Sequence, residues 1–148
     1  MTPAEASTTV TDEEHILELH REFVAANQAI DVDWLRAHMV PGTDTLTWFN
    51  LNKSDYLGVD HICRLWEFLA VVAAGAEQHC ESIDPHAHVL GDVAWVDSHI
   101  RIEADFGVMG QVKQTSRATE IWQRMNDDWK MVHFHCSEHE GNGWEGGK

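Results

Sequence analysis

A chain of 148 residues with 43% hydrophobic content is long enough for one domain with a sizeable core. Ten basic residues against 25 acidic ones give a formal net charge of −15. Nucleic acid and anionic membranes need a basic footprint, so this balance argues against both as partners. No apolar run reaches the length of a membrane-spanning helix.

The amino terminus, MTPAEASTTVTDEE, has neither a positively charged segment nor an apolar one, so no secretory signal is visible and a cytoplasmic protein is expected. Residues 1–11 read as a disordered polar tail, 12–139 as the single domain and 140–148, rich in glycine, as a flexible tail. Thr11-Asp12-Glu13-Glu14 spells a capping box that opens a helix reaching about Ile30. Ile16, His20, Phe23, Val24 and Asn27 share one side of it. His20 and Asn27 are polar positions in that apolar stripe, and they either point into an interior cavity or are satisfied within the core. DVDWLRAHM makes a second short helix, stopped by Pro41-Gly42.

Thr43 to Asn50 reads as a strand. A third helix runs from about Gly58 to Ala76, with Val59, Ile62, Trp66, Leu69, Ala70 and Ala73 as its apolar stripe. The pattern then changes to period two. His79 to Ile83 is a short extended piece broken by Asp84-Pro85. His86 to Leu90 is a strand, Gly91-Asp92 a turn and Val93 to Asp105 a long strand. Gly107 to Gly110 is a flexible connection. RATEIWQRMNDDWKMVHFHCS, from Arg117 to Ser137, reads as a hairpin turning at Asn126-Asp127. Helices first and antiparallel strands afterwards predict an α+β fold, with helices closing the concave side of a strongly curved sheet around a pocket.

Cys63, Cys80 and Cys136 are odd in number and lack CxxC spacing, which predicts buried thiols rather than a disulfide framework. Cys136 beside His135 is a weak nucleophile candidate, because adjacent strand residues point to opposite faces. His133 and His135 share a face of the last strand. They suit a subunit interface or, with Glu138 or His139, a metal ion; no metal is assigned, since a chain with 11 histidines forms such pairs by chance.

The long strand VAWVDSHIRIEA separates cleanly. Ala94, Val96, Ser98, Ile100 and Ile102 form an apolar face, and Trp95, Asp97, His99, Arg101 and Glu103 a polar one. The polar set is a candidate catalytic face, a salt-bridged interface or a solvated surface.

Several segments resemble the NTF2-like (SnoaL-like) superfamily, and within it the association, or hub, domain of calcium/calmodulin-dependent protein kinase II. DPHAHVLGD (Asp84 to Asp92) resembles that domain's NPHVHxIGD segment, and WKMVHFHCS (Trp129 to Ser137) its WxxVHFHxS end. GVDHICRLWEFL resembles the helix beginning GMDFH, and Ile100-Arg101-Ile102 its IRL strand. The similarity spans about Asp12 to Ser137 without a kinase domain, so a free-standing hub-like protein is expected.

The resemblance implies an NTF2-like cone, self-association through the outer face of the sheet into dimers or rings, and a polar pocket that holds carboxylates through arginines. Arg101 matches one family arginine, which places the polar face of its strand toward the pocket. A second family arginine, in ETRVW, falls on Glu120, and a third falls on Cys136. The arginine-to-glutamate change points to a different ligand or to proton transfer. Asp97, His99, Glu120 and Arg101 are therefore the candidate catalytic residues, with Arg101 stabilising an anion. Trp95, Trp122, Phe134, Glu103 and His20 are candidate ligand contacts. The expected function is cofactor-independent lyase, dehydratase or isomerase chemistry on a small polar or aromatic molecule. The alternative is a non-catalytic oligomeric hub that binds a small carboxylate or scaffolds partners.

Overall fold

The computed structural model describes residues 10–140. The expected tails, at 1–11 and 140–148, lie almost wholly outside the described residues. Helix α1 (Asp12–Ala29) begins at the predicted capping box. The Thr11 hydroxyl accepts from the Glu14 N–H at 3.1 Å, and the Glu14 carboxylate accepts from the Thr11 N–H at 3.4 Å. Helix α2 (Val32–His38) is capped by Asp31, which accepts from the Trp34 N–H. Two short strands follow, β1 (Thr47–Phe49) and β2 (Asp55–Leu57), and then helix α3 (Val59–Val72). The sheet is completed by β3 (His79–Leu90), β4 (Val93–Asp105), β5 (Gln111–Met125) and β6 (Asp128–Glu138).

The six strands are ordered β2-β1-β6-β5-β4-β3 in one sheet that does not close. Four of the five pairings are antiparallel, as expected, and β1 runs parallel to β6. That pairing is parallel because β1 is delivered by the helical segment rather than by a hairpin, so no tight turn fixes its direction. The two extended pieces predicted around Asp84-Pro85 form one strand with an irregularity between Ile83 and His86. Asp84, at φ 52°, absorbs the kink. Cys80 and Ser82 before it face the same side as Ala87 and Val89 after it. The predicted hairpin is also longer than its sequence suggests, since β5 starts at Gln111, and Asn126 and Asp127 both take positive φ at its turn.

Alternation fixes the faces. Ala94, Val96, Ser98 and Ile100 of β4 are buried, as are Ser116, Ala118, Glu120 and Trp122 of β5. They pack with Phe134 and Cys136 of β6, Trp48 of β1, and Ile16, Phe23, Ile62 and Trp66 of the helices. Among the described residues no helix is long and apolar enough to cross a membrane.

Candidate functional site

The core contains a chain of buried polar side chains. His20 of α1 and Glu120 of β5 are both wholly inaccessible to solvent. His20 Nδ1 lies 2.5 Å from Glu120 Oε2, and His20 Nε2 lies 2.7 Å from the Ser82 hydroxyl on β3. The Trp122 indole N–H donates to Glu120 Oε1 at 3.1 Å. One helix and two strands thus supply a continuous Ser82–His20–Glu120–Trp122 array. With Glu120 accepting at both oxygens, His20 donates from Nδ1, and its Nε2 is joined to the Ser82 hydroxyl. Each polar atom of the buried carboxylate and imidazole has a partner, which offsets part of the cost of taking them out of water.

Beside this array lies a cavity of about 380 Å³ between the helices and the inner face of the sheet. Its walls include Trp66, Ile100, Ile102, Gln114, Phe134 and Cys136. No member of the array lines the wall itself; Ser82 comes nearest, since Cys80, two residues back on the same face, and Ile100, its partner across the β3–β4 ladder, both do. Burial pushes the Cys80 thiol up to about 11 and the Cys136 thiol up to about 12, so both are neutral and neither is an activated nucleophile.

The structure brings together only part of the residue set expected from sequence. Glu120, Trp122 and His20 meet as described, and Phe134 lines the cavity. Trp95, Asp97, His99, Arg101 and Glu103 do not join them. They stand on the outer face of β4, because the intervening residues Ala94, Val96, Ser98 and Ile100 are the buried ones. The convergence of Asp97, His99 and Arg101 with Glu120 expected from the family match is therefore corrected. The match at Arg101 turned one set of alternating residues inward, whereas the strand buries the other set.

On the outer face Arg101 pairs with Glu103 at 2.9 Å. Asp97 lies 3.3 Å from both His86 and His88, and His88 stacks on Trp95. His99 packs against His139, and the groove that His99 borders also includes Arg117 and His135. His133 accepts or donates at the Thr47 hydroxyl, 2.7 Å away, and its pKa is lowered by burial and by the neighbouring His135. Among the described residues no three His, Cys, Asp or Glu side chains are grouped to hold a metal ion.

Sequence reasoning missed Ser82, Gln114 and Ser116. The signal was present for the last two, which alternate with Val112, Ala118 and Glu120 along one face of β5. Ser82 could be found only once α1 was laid against β3.

Helices over an unclosed six-stranded mixed sheet, with a cavity between the layers, define an NTF2-like protein. The chain matches the SnoaL-like domain over residues 16–139 and belongs to that family. Solved structures share the fold at low identity. A candidate dehydratase of the NTF2-like family from Streptomyces avermitilis superposes with a TM-score of 0.75 at 20% identity, covering 88% of this chain and 97% of that one. The S. rosetta CaMKII hub gives 0.70 at 18% identity, covering 89% and 100%. A candidate aromatic ring hydroxylase from Novosphingobium aromaticivorans gives 0.74 at 14% identity, covering 95% and 94%.

Proposed function

We propose that this SnoaL-like protein is a cofactor-independent acid/base enzyme, a lyase, dehydratase or isomerase that acts on a small molecule held in the inner cavity. The observation that carries this reading is the Ser82–His20–Glu120 hydrogen-bond chain beside that cavity. His20 and Glu120 are sealed from solvent, whereas half-buried Ser82 adjoins the cavity-lining Cys80 and Ile100, so in this reading the substrate meets the chain at Ser82. A proton leaving the substrate passes to Ser82 Oγ while the hydroxyl proton passes to His20 Nε2. The resulting imidazolium is held by the Glu120 carboxylate, and Trp122 fixes the carboxylate from its other oxygen. Returning the proton to a different substrate atom gives isomerisation, and returning it to a departing hydroxyl gives dehydration. The dehydratase name carried by the Streptomyces avermitilis neighbour supports the same class. Three free thiols support a reducing compartment such as the cytoplasm.

The test is a screen of phenolic, ketone and hydroxy-acid substrates against wild type, His20→Gln and Ser82→Ala. Turnover that is lost in both variants is expected. Equal turnover in wild type and His20→Gln overturns the mechanism.

A second reading, a non-catalytic oligomeric scaffold, is favoured by the hub-domain neighbour and by the outer sheet face, rich in histidine and acid. Within this second reading, scaffolding is better supported than carboxylate binding, since Arg101 is paired with Glu103 outside the cavity and among the described residues no arginine lines its wall. Light scattering decides it: a monomer at micromolar concentration removes this reading.

A further inference from the structure

Among the described residues the cavity wall carries no Asp, Glu, Lys or Arg side chain, in a chain of which 24% of residues are charged. Its one imidazole, His79, is exposed and lies 3.9 Å from Glu81. Its two thiols are neutral. The polar groups that remain are amides and one hydroxyl, and most are already engaged. Gln28 accepts from the Cys80 N–H, both ends of the Gln78 amide bond the Asp105 backbone, and the Asn50 carbonyl oxygen accepts from the Trp48 indole. The Ser116 hydroxyl donates to the Ile100 carbonyl. Gln114 differs. It sits on the inner face of β5 opposite Ile102, and among the described residues its side chain has no hydrogen-bond partner.

We infer that the cavity selects an uncharged, largely apolar ring compound, and that Gln114 orients it by hydrogen bonding to a hydroxyl or carbonyl group. An anion entering this space would lose its hydration and gain no counter-charge, whereas a neutral ring gains contact with Trp66 and Phe134. An amide both donates and accepts, so it reads a phenol or a ketone equally well. The inference rests on the reading of this cavity as the substrate site and adds the class of molecule that enters it.

Calorimetry with naphthol and naphthoate at neutral pH tests it, since the two share a ring system and differ in charge. Saturable naphthol binding is expected, with naphthoate weaker by roughly 100-fold or more. Gln114→Leu should weaken naphthol by roughly five- to tenfold, and Gln114→Arg should shift preference toward naphthoate. Ala104→Trp, which fills the cavity, should abolish binding while the circular dichroism spectrum is retained. Naphthoate binding as tight as naphthol, or naphthol binding unaffected by Ala104→Trp, overturns the inference. The catalytic proposal fails separately: naphthol binding with the predicted selectivity, together with turnover indifferent to His20→Gln, removes the mechanism and leaves the ligand class standing.

Discussion

His20 Nδ1 and Glu120 Oε2 meet at 2.5 Å across 100 residues of sequence, with neither side chain reaching solvent. This contact pins α1 to the middle of the sheet and fixes which nitrogen of the ring faces Ser82. Removing the acid leaves a buried imidazole N–H without an acceptor. Glu120→Ala should therefore destabilise the fold by about 1–3 kcal/mol, measured by urea unfolding.

Glu120→Gln separates structure from chemistry. A glutamine amide keeps the Trp122 bond through its oxygen and donates its N–H to His20 Nδ1. The ring then carries its proton on Nε2 and donates to Ser82. Stability should fall by no more than about 1–2 kcal/mol, while turnover should fall by roughly 10³–10⁴-fold. Nitrogen chemical shifts of the His20 ring should report the change of tautomer. An unchanged tautomer would show that Glu120 does not set the ring's proton.

Much of the fold was legible because local chemistry and pattern agreed. Thr11 and Glu14 announced the start of α1, and VAWVDSHIRIEA announced β4 and its two faces. The apolar residues Ala94, Val96 and Ile100 already marked one face as the one to bury, but the family match at Arg101 turned the polar face inward instead. Burial of Ser98 and Ile100 decides it against Arg101. The pairing of His20 with Glu120 was out of reach for a different reason: no local pattern reports a contact made by tertiary packing. His20 was recognisable only as a polar interruption of an apolar stripe.

Gly58 illustrates a motif residue whose role becomes physical only in the structure. It precedes α3 at φ 84°, and a Cβ placed on it would lie 2.2 Å from the Thr43 carbonyl oxygen. Because the clash is with backbone, no side-chain movement relieves it. Gly58→Ala should cost at least about 2 kcal/mol by thermal or urea unfolding. Gly91→Ala is the control. Gly91 also has positive φ, but an added Cβ there meets nothing within 4 Å, so the smaller loss expected measures backbone strain alone.

The thiols provide a chemical readout of the cavity. Cys80 and Cys136 are pushed up to about 11 and about 12 by burial. In the native protein at mildly alkaline pH both should react with a disulfide reagent at least roughly 100-fold more slowly than an exposed cysteine, and at ordinary rates after denaturation. Fast stoichiometric labelling of the folded protein would contradict the burial assigned to them.

His133 gives the stability a pH dependence of determined sign. Burial, and then the charge of His135, lowers its pKa below the ordinary value of 6.5. The unfolded chain therefore binds this proton more readily than the folded one. Stability is fully present above about 6.5, falls as the pH drops below that value, and levels off once the folded state also protonates. Other histidines titrate in the same range, so the measurement is a difference. Unfolding midpoints of wild type and His133→Gln between about pH 8 and pH 5 should converge toward the acid end, because only wild type loses this contribution. A constant difference across the range would show that His133 takes up its proton equally in both states.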